Sequence, residues 1–339
     1  MSLTVAVGAA FLVSLMLPLL LKPLLGRLGV VDVPNERSSH TRPATRGAGL
    51  APLVAVTVGY VLLLFVPAVQ DFRILLLVIL GVSVASGLLG WVEDFRGVPV
   101  PIRAALQLII GLAGGTAVCL VAGAPWWLLP LFVIGIAGYI NVANFMDGID
   151  GISGLHGAVV GTSFALIGGL TEQDWMVPAG LVLAVAFVGF LPWNLSRGRI
   201  FLGDVGSYLL GGCVAVIAVI AVSSGVSMLA VLGPVIIYLV DAGATLAGRA
   251  ARGERWYEAH RSHAYQRLTD FGIPHSVVSS LVALMSAVAA GMGMLSLGHT
   301  DWMLSALLMA LVAVVYLSLP SIVGFARASS RSALEKEDS

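Results

Sequence analysis

Long apolar runs separated by short polar stretches form the dominant pattern of this chain. The hydrocarbon core of a bilayer is about 30 Å thick, so a helix that crosses it needs roughly 20 mostly apolar residues. On this measure the pattern predicts eleven transmembrane helices, at about 2–22, 49–69, 73–91, 103–122, 126–144, 152–170, 175–194, 205–223, 227–247, 274–297 and 302–325. Two charge-free runs are each long enough for two helices, and we divide them at the turn-like clusters Gly123-Ala124-Pro125 and Ser223-Ser224-Gly225.

The composition indicates the same fold class. Of the 339 residues, 58% are hydrophobic and only 11% are charged, a balance that excludes an ordinary soluble domain. We therefore predict an all-α, polytopic transmembrane helix bundle, with one transmembrane domain over residues 1–326 and a charged cytoplasmic tail over 327–339. The first 21 residues lack the basic leader of a cleavable signal peptide, which predicts a retained first span. Cys119 and Cys213 fall in apolar runs and are expected to be packed thiols.

Basic residues are distributed unevenly between the two sets of loops. With eleven spans, one side carries the C-terminal tail and the loops at about 22–48, 91–103, 144–152, 194–205 and 247–274. This side holds 17 of the 18 Lys and Arg residues, all but Arg73. Such a bias marks the cytoplasmic side. We expect an integral inner or plasma membrane protein with its N-terminus outside and its C-terminus in the cytoplasm.

The most concentrated polar stretch is 141–151, which places Asn141, Asn144, Asp147 and Asp150 at the end of an apolar run. Ionisable groups so close to hydrocarbon are costly unless they serve a site. If this stretch is helical at its end, Asp147 and Asp150 lie on one face at i and i+3, where they could share a metal or a substrate.

Each cytoplasmic loop ends where an inside-to-outside helix begins, so five helix N-termini, which attract phosphate groups, point towards the cytoplasm. The second loop holds Glu93 and Asp94, adjacent carboxylates that indicate a divalent cation, a proton acceptor or only a solvated helix end. The fourth loop holds Arg197 and Arg199 and then Asp204. Asp204 is either a simple helix N-cap or part of a site for a metal-bound phosphate.

The first and fifth loops carry further cations. Arg46 precedes closely spaced glycines, which suits an anion-binding loop, although an ordinary basic juxtamembrane loop explains it as well. In the fifth loop, Arg261, His263 and Arg267 fit phosphate recognition, with a solvated amphipathic helix as the alternative. Asp241, within span nine, is either a helix-pairing acid or a peripheral site residue.

Four of these motifs occur together in one known family. They are Asn-Val-Ala-Asn-Phe-Met-Asp-Gly-Ile-Asp-Gly at 141–151, Phe-Leu-Gly-Asp-Val-Gly-Ser at 201–207, the acidic pair at 93–94 and Pro-Asn-Glu-Arg-Ser-Ser-His at 34–40. The set resembles the polyprenyl-phosphate N-acetylhexosamine-1-phosphate transferases, the glycosyltransferase 4 family, over about residues 31–271. The resemblance implies a bundle of ten or eleven transmembrane helices with a magnesium-dependent cytoplasmic site.

The resemblance also implies roles for particular residues. Asp204 would be the leading magnesium ligand, with Asp94, which matches the second acid of the family's Asp-Asp pair, as another. Mn²⁺ is an alternative to Mg²⁺. Phe201 would stack on uracil. The implied catalytic residues are Glu93, Asp94, Asp147, Asp150, Asp204 and His263, and the implied substrate-binding residues are Asn144, Phe201, Arg46, Arg199, Arg261 and Arg267.

Two positions depart from the family pattern. The first acid of the pair is Glu93, one methylene longer than the family's aspartate. The family's run of three histidines is missing: His263 matches its first position, and Tyr265 and Gln266 occupy neighbouring ones. The string at 260–268 resembles the branch that initiates O-antigen or other surface glycans, rather than the enzyme that makes the first peptidoglycan lipid intermediate.

Residues and resemblance together predict transfer of an N-acetylated amino-sugar 1-phosphate from a UDP-sugar to polyprenyl (undecaprenyl) phosphate, with release of UMP. These two substrates are the expected partners, nucleic acid is not, and a homodimer is compatible with the sequence. Direct attack by the acceptor phosphate and a covalent phospho-enzyme on a carboxylate are both open. One alternative is the same reaction with UDP-N-acetylglucosamine alone. The other is a transporter or flippase for an anionic solute, although transporters place polar groups near the bilayer midplane.

Overall fold

The computed structural model of the protein describes residues 1–28, 31–32, 44–195, 200–254, 261–298 and 301–337. Its helices are α1 (Leu3–Met16), α2 (Pro18–Arg27), α3 (Leu50–Leu63), α4 (Arg73–Arg96), α5 (Val100–Val121), α6 (Leu129–Met146), α7 (Ile152–Leu170), α8 (Met176–Asn194), α9 (Gly203–Ser223), α10 (Met228–Leu232), α11 (Ile236–Ala251), α12 (Ala264–Asp270), α13 (His275–Met294) and α14 (Trp302–Glu337). Short 3-10 segments lie at Pro67–Phe72, Trp126–Leu128, Gly233–Val235 and Leu295–Gly298. Two short strands, β1 (Val31–Asp32) and β2 (Ala44–Thr45), pair antiparallel.

The helices confirm the predicted all-α, polytopic bundle. Within the described ranges, 10 helical stretches are long and apolar enough to cross a membrane. A further apolar helix, α3, has 14 residues and gives way to a 3-10 segment that begins at Pro67. The second predicted span, 49–69, is therefore too long as a single helix. The side of the membrane that each terminus faces stays a prediction.

Prolines account for two differences between the predicted spans and the helices. The first span is divided into α1 and α2 at Pro18, which lacks the N–H that would continue the hydrogen-bond ladder of α1. The ninth is divided into α10 and α11 by a 3-10 segment that contains Pro234. At the other end of the chain, α14 is one helix as far as Glu337, across the position where the charged tail was predicted to begin.

Helix α9 is the most enclosed of the long helices, because 83% of the residues in its most apolar 18-residue stretch are buried. Small residues let its neighbours approach closely. A Cβ added at Gly90 of α4 would lie 2.1 Å from the carbonyl oxygen of Asp204, so the two backbones are nearly in contact there. Cys119 and Cys213 are buried free thiols, as predicted. The tight packing of α4 on α9 fixes the end of the bundle where the polar residues gather.

Candidate active site

Three loops that are far apart in the sequence meet at Asp204, in the first turn of α9. The Asn144 side-chain amide donates to Asp204 Oδ1 at 2.8 Å and to the Ser207 hydroxyl at 3.2 Å. From the first loop, Arg46 Nη2 donates to Asp204 Oδ2 at 3.0 Å. The Asp204 side chain is 15% exposed, so its carboxylate keeps an open edge. These contacts bring the predicted first, third and fourth loops to one place.

Asp94 caps the helix that carries Asp204. Its Oδ1 accepts from the Asp204 backbone N–H and its Oδ2 from the Val205 backbone N–H, both at 3.0 Å. Arg46 Nε lies 2.6 Å from the same Oδ1, and the Asp94 side chain is 0% exposed. The interpretation of Asp204 as an N-cap is therefore wrong, because α9 begins at Gly203 and a carboxylate of another helix occupies the capping position.

Glu93, although adjacent to Asp94, serves a different contact. Its Oε2 accepts from the Val98 backbone N–H at 2.7 Å, and its Oε1 accepts from Arg103 Nη1 at 2.9 Å. Glu93 thus closes the turn between α4 and α5 and pairs with the first turn of α5. The catalytic role predicted for Glu93 stays a prediction.

The polar stretch 141–151 faces several neighbours. Asn141 donates to Gln107 of α5 at 2.6 Å. Asp150 Oδ2 lies 3.2 Å from His275 Nδ1 of α13. Helix α6 ends at Met146, so Asp147 and Asp150 do not share a helix face, and that expectation is wrong. The backbone leaves the helical conformation at Asp147 itself, where φ is −87° and ψ is 51°.

Asp147 lies in the turn that follows α6. The surrounding protein removes its carboxyl from water and raises its pKa to about 7. The negative charges of Asp204, Asp94 and Asp150 raise the pKa further. The half-buried Asp147 is therefore a carboxyl that holds a proton near neutral pH and gives it up when a cation approaches.

Asp147→Asn is expected to stabilise the substrate-free protein at alkaline pH. The pKa in the folded state, about 7, lies above the ordinary value of 3.8, so the folded protein holds the proton more tightly. Stability from this proton is complete below about pH 4 and is lost as the pH rises through 7. Removal of the charge should raise the free energy of unfolding at pH 8 by on the order of 1–3 kcal/mol, with little change at pH 4. Thermal melting of the purified protein without divalent cations measures this, with exposed Asp71→Asn as the control. An equal shift of both variants at both pH values would contradict it.

The fifth loop is attached to the same region through Tyr265. Its hydroxyl donates to the Phe145 carbonyl at 3.0 Å, directly beside Gly148. The loop helix α12 is in turn held by Asp241, whose carboxylate accepts from the Ala264 backbone N–H at 3.0 Å and lies 3.1 Å from His263 Nδ1. Asp241 is thus the helix-pairing acid of the two alternatives. His263 is 2% exposed, and its catalytic role stays a prediction.

Arg267 is exposed on α12 and lines a cavity of about 370 Å³ together with Arg252, Ser262 and Thr245. Arg261 Nη2 pairs with Asp270 at 3.2 Å, on the same short helix segment. The cavity therefore has arginine and hydroxyl groups, which suit a phosphate, and it is also lined by Asp241, whose carboxylate lies beside His263.

One of the predicted binding residues, Phe201, lies just before the start of α9. The Phe201 carbonyl accepts from the Ala48 backbone N–H at 3.3 Å, so the first loop runs beside Phe201. Arg199 lies outside the described residues, as do the motif at 34–40 and His260.

Asn194 is a site residue that the sequence pattern did not identify. Its Oδ1 accepts from the Gly151 backbone N–H at 2.8 Å, and its Nδ2 donates to the Ile200 carbonyl at 3.2 Å. It thereby ties the third loop to the fourth. The only signal in the sequence was a carboxamide at the end of an apolar run, and Ser207 likewise stood inside a motif without an assigned role.

The acids fit a magnesium ion that is completed by substrate. Among the described residues, no group of three or more His, Cys, Asp or Glu is arranged to hold a metal ion. Mg²⁺ is usually bound by one or two carboxylates together with substrate phosphates and water. Asp204, whose side chain is partly exposed, provides one such carboxylate.

Fold and site together define a polytopic helical membrane protein with a polar site of carboxylates, carboxamides and arginines at one end of the bundle. Comparison with known proteins narrows this class. The model of the family described as "Glycosyl transferase family 4" matches residues 76–222, from α4 to the end of α9.

Three relatives match most of the chain. It is 24% identical over 338 residues to the "Probable undecaprenyl-phosphate N-acetylglucosaminyl 1-phosphate transferase" of Bacillus subtilis, covering 88% of this chain and 87% of that protein. It is 28% identical over 307 residues to the "Decaprenyl-phosphate N-acetylglucosaminephosphotransferase" of Mycolicibacterium smegmatis, covering 78% and 74%. It is 30% identical over 258 residues to the "Phospho-N-acetylmuramoyl-pentapeptide-transferase" of Desulforudis audaxviator, covering 65% and 76%.

The chain belongs to glycosyl transferase family 4, the family of polyprenyl-phosphate hexosamine-1-phosphate transferases. The resemblance inferred from the motifs is confirmed. The relatives named above act on more than one sugar, so family membership does not distinguish between the surface-glycan branch and the peptidoglycan branch.

Proposed function

We propose that the protein transfers an N-acetylated amino-sugar 1-phosphate from a UDP-sugar to polyprenyl phosphate on the cytoplasmic face of the membrane, releasing UMP and initiating a lipid-linked surface glycan. The observation that carries this proposal is the arrangement at Asp204. A partly exposed carboxylate at the start of α9 is held between Asn144 and Arg46, at the end of the bundle. A membrane-embedded acceptor and a soluble donor can meet only at such an end.

The proposed reaction exchanges one phosphorus–oxygen bond for another. An oxygen of the acceptor phosphate attacks the β-phosphorus of the donor and forms the new bond. The bond from this phosphorus to the oxygen that bridges to the α-phosphorus breaks, and its electron pair leaves with UMP. Because a phosphate monoester with a second pKa of about 6 is largely dianionic at neutral pH, the attack needs no strong base.

Direct attack also agrees with the contacts of the acidic pair. Asp94 and Glu93 both use their carboxylate oxygens on protein donors. Asp147, with a pKa near 7 and no such set of donors, is better suited to take the residual proton of the acceptor. Trapping of a UMP-forming partial reaction without acceptor would favour a covalent intermediate instead.

Mg²⁺ would be held by Asp204 together with phosphate oxygens of the substrates. When bound, it neutralises charge on the phosphates and so lets two anions approach one another. The protein's own residues orient Asp204, through Asn144 and Arg46, and supply cations such as Arg267 for the donor.

The main alternative within the family is a transferase specific for UDP-N-acetylglucosamine. The names of the Bacillus and Mycolicibacterium relatives favour it, since both contain N-acetylglucosamine. The transporter alternative is supported by the divided spans at Pro18 and between α10 and α11, since discontinuous helices are a feature of transporters. The polar cluster at the end of the bundle and the membership of a transferase family both favour the enzyme.

One assay tests the proposal. Purified protein is incubated with Mg²⁺, undecaprenyl phosphate and each of a panel of UDP-amino sugars, and UMP and the lipid product are measured together. We expect equal amounts of both, dependent on Mg²⁺. A product from UDP-N-acetylglucosamine alone would favour the family alternative, and solute transport in proteoliposomes without UMP would favour the transporter.

Arg267→Ala is expected to raise the UDP-sugar KM about tenfold with a smaller effect on kcat. A charge-assisted hydrogen bond to phosphate contributes about 1.5–3 kcal/mol, and loss of about half of this corresponds to that factor. Steady-state kinetics with varied donor measure it. Arg327→Ala is the control, because Arg327 stacks over Phe271 at 5.7 Å instead of lining the cavity. Equal KM values for the two variants would reassign Arg267 to structure.

A further inference from the structure

Asp94 is a fully buried carboxylate in contact with three donors, and none of them belongs to its own helix. These are Arg46 Nε at 2.6 Å and the backbone N–H groups of Asp204 and Val205, each at 3.0 Å. The first turn of any helix leaves N–H groups without intrahelical partners. No side chain of α9 caps this turn, so Asp94 satisfies it from α4.

The three donors of Asp94 determine both the position and the charge partner of Asp204. The backbone of Asp204 is held by its own N–H, and its Oδ2 accepts from Arg46, which Asp94 holds in place. We propose that Asp94 is a positioning residue, which places Asp204 for a divalent cation by capping α9 and by holding Arg46 against it. This inference rests on the proposed function, which puts that cation at Asp204.

The geometry leaves no room for the cation at Asp94 itself. Its side chain is 0% exposed, compared with 15% for Asp204. A Cβ added at Gly203 would lie 2.5 Å from Asp94 Oδ2, so the loop backbone covers this oxygen. A Mg²⁺ ligand needs a free oxygen that a cation can approach to about 2.0–2.1 Å. The role assigned to Asp94 is therefore different from the metal-ligand role implied by the family resemblance.

Asp241 provides a matched comparison within the same chain. It is also buried, and it caps α12 from α11 by accepting from the Ala264 N–H at 3.0 Å, while the Tyr316 hydroxyl donates to its second oxygen at 2.6 Å. Loss of either carboxylate removes an acceptor for a buried N–H at a helix start. Of these two acids, it is Asp94 that contacts the backbone of Asp204, so its loss, and not that of Asp241, should change cation binding.

The experiment compares Asp94→Asn with Asp241→Asn in the purified chain. Mn²⁺ binding is measured by EPR of the free ion, Mg²⁺ half-saturation by UMP release, and folding by thermal melting. We expect both variants to melt at lower temperature. Asp94→Asn should raise the Mn²⁺ dissociation constant and the Mg²⁺ half-saturation about 10- to 100-fold, as loss of a residue that orients a metal ligand typically does. Asp241→Asn should leave the Mn²⁺ dissociation constant within about twofold; its UMP release is not compared, because Asp241 lines the cavity that contains Arg267. Unchanged cation binding in Asp94→Asn would overturn the proposal.

A cysteine series separates positioning from direct ligation. A thiolate prefers soft metals such as Cd²⁺. Cd²⁺ should restore part of the activity of Asp204→Cys and none of that of Asp94→Cys. Restoration of Asp94→Cys would show that Asp94 binds the metal and would overturn the proposal. If Cd²⁺ restores neither variant, the Mn²⁺ titration decides.

Arg46→Lys carries the test if Asp94→Asn does not fold. A lysine ammonium has no planar fork and so cannot hold the two carboxylates in the fixed geometry that the guanidinium gives, and Mg²⁺ half-saturation should therefore rise severalfold; an unchanged value would overturn the proposal. A failure of the proposed function can be distinguished from a failure of the positioning role. A wild-type chain that releases no UMP but shows the expected difference in Mn²⁺ binding would refute the reaction and leave the positioning role standing.

Discussion

Asp204→Asn is expected to lower the rate of UMP release by about a hundredfold or more while the protein stays folded in the membrane. Asp204 contributes the partly exposed carboxylate of the cluster. One of its oxygens accepts a hydrogen bond from Asn144 and the other accepts one from Arg46. An amide is neutral, and its single oxygen can accept from only one of these two donors. The variant therefore loses both the charge that attracts a divalent cation and one of the two bonds that orient the side chain.

The controls for Asp204→Asn separate chemistry from folding. Asp71→Asn makes the same substitution at an exposed site in the 3-10 segment Pro67–Phe72, and it should keep the wild-type rate. Thermal melting of Asp204→Asn should stay within a few degrees of wild type. A rate within threefold of wild type in the folded variant would remove Asp204 from the metal site.

Gly90→Ala is expected to destabilise the protein by about 2–4 kcal/mol and to reduce UMP release more than tenfold. The added methyl would lie 2.1 Å from the Asp204 carbonyl oxygen and 2.7 Å from the Val205 Cα. Both are backbone atoms, which cannot rotate away as a side chain can. Helix α4 and helix α9 must therefore separate, and the bonds from Asp94 to the start of α9 lengthen.

Gly81→Ala is the matched control, because Gly81 lies on the same helix and a Cβ there meets nothing within 4 Å. Alanine has a higher helix propensity than glycine by up to about 1 kcal/mol, so this variant should be neutral or slightly more stable. Thermal melting and UMP release measure both variants. If Gly90→Ala melts and turns over like Gly81→Ala, the close approach of α4 to α9 is not required for the site.

The transmembrane architecture was predictable from the sequence because its signal is local. An unpaired polar backbone or charge in hydrocarbon costs several kcal/mol, so each span must be a continuous apolar helix that can be recognised by its own residues. The same reasoning singled out the acids at Glu93, Asp94, Asp147 and Asp204, which interrupt or border those runs. The spans divided at Pro18 and Pro234 show its limit, because hydropathy does not register a missing N–H.

The partners of those acids were not predictable in the same way. A local rule left a helix cap as one of two interpretations of Asp204, because acids are common in that position, but the cap comes from Asp94, which is 110 residues away in the chain. Likewise, Glu93 and Asp94 are neighbours in sequence and point to different helices. Their two carboxylates were interpreted as a pair, whereas one closes a turn and the other holds the start of α9.

The sequence by itself determined the class of this protein: apolar helices, polar loops gathered on one side, and motifs that are typical of one family. Only the tertiary structure decided which acid remains partly exposed and which uses both carboxylate oxygens to cap a helix N-terminus. Asp204 and Asp94 have the same side chain and differ in exposure, 15% against 0%. The physical reason is that the length of an apolar run is a property of one continuous segment. The environment of a carboxylate, in contrast, depends on how closely separate helices approach one another. That distance is set at Gly90, where the absence of a side chain lets α4 touch α9.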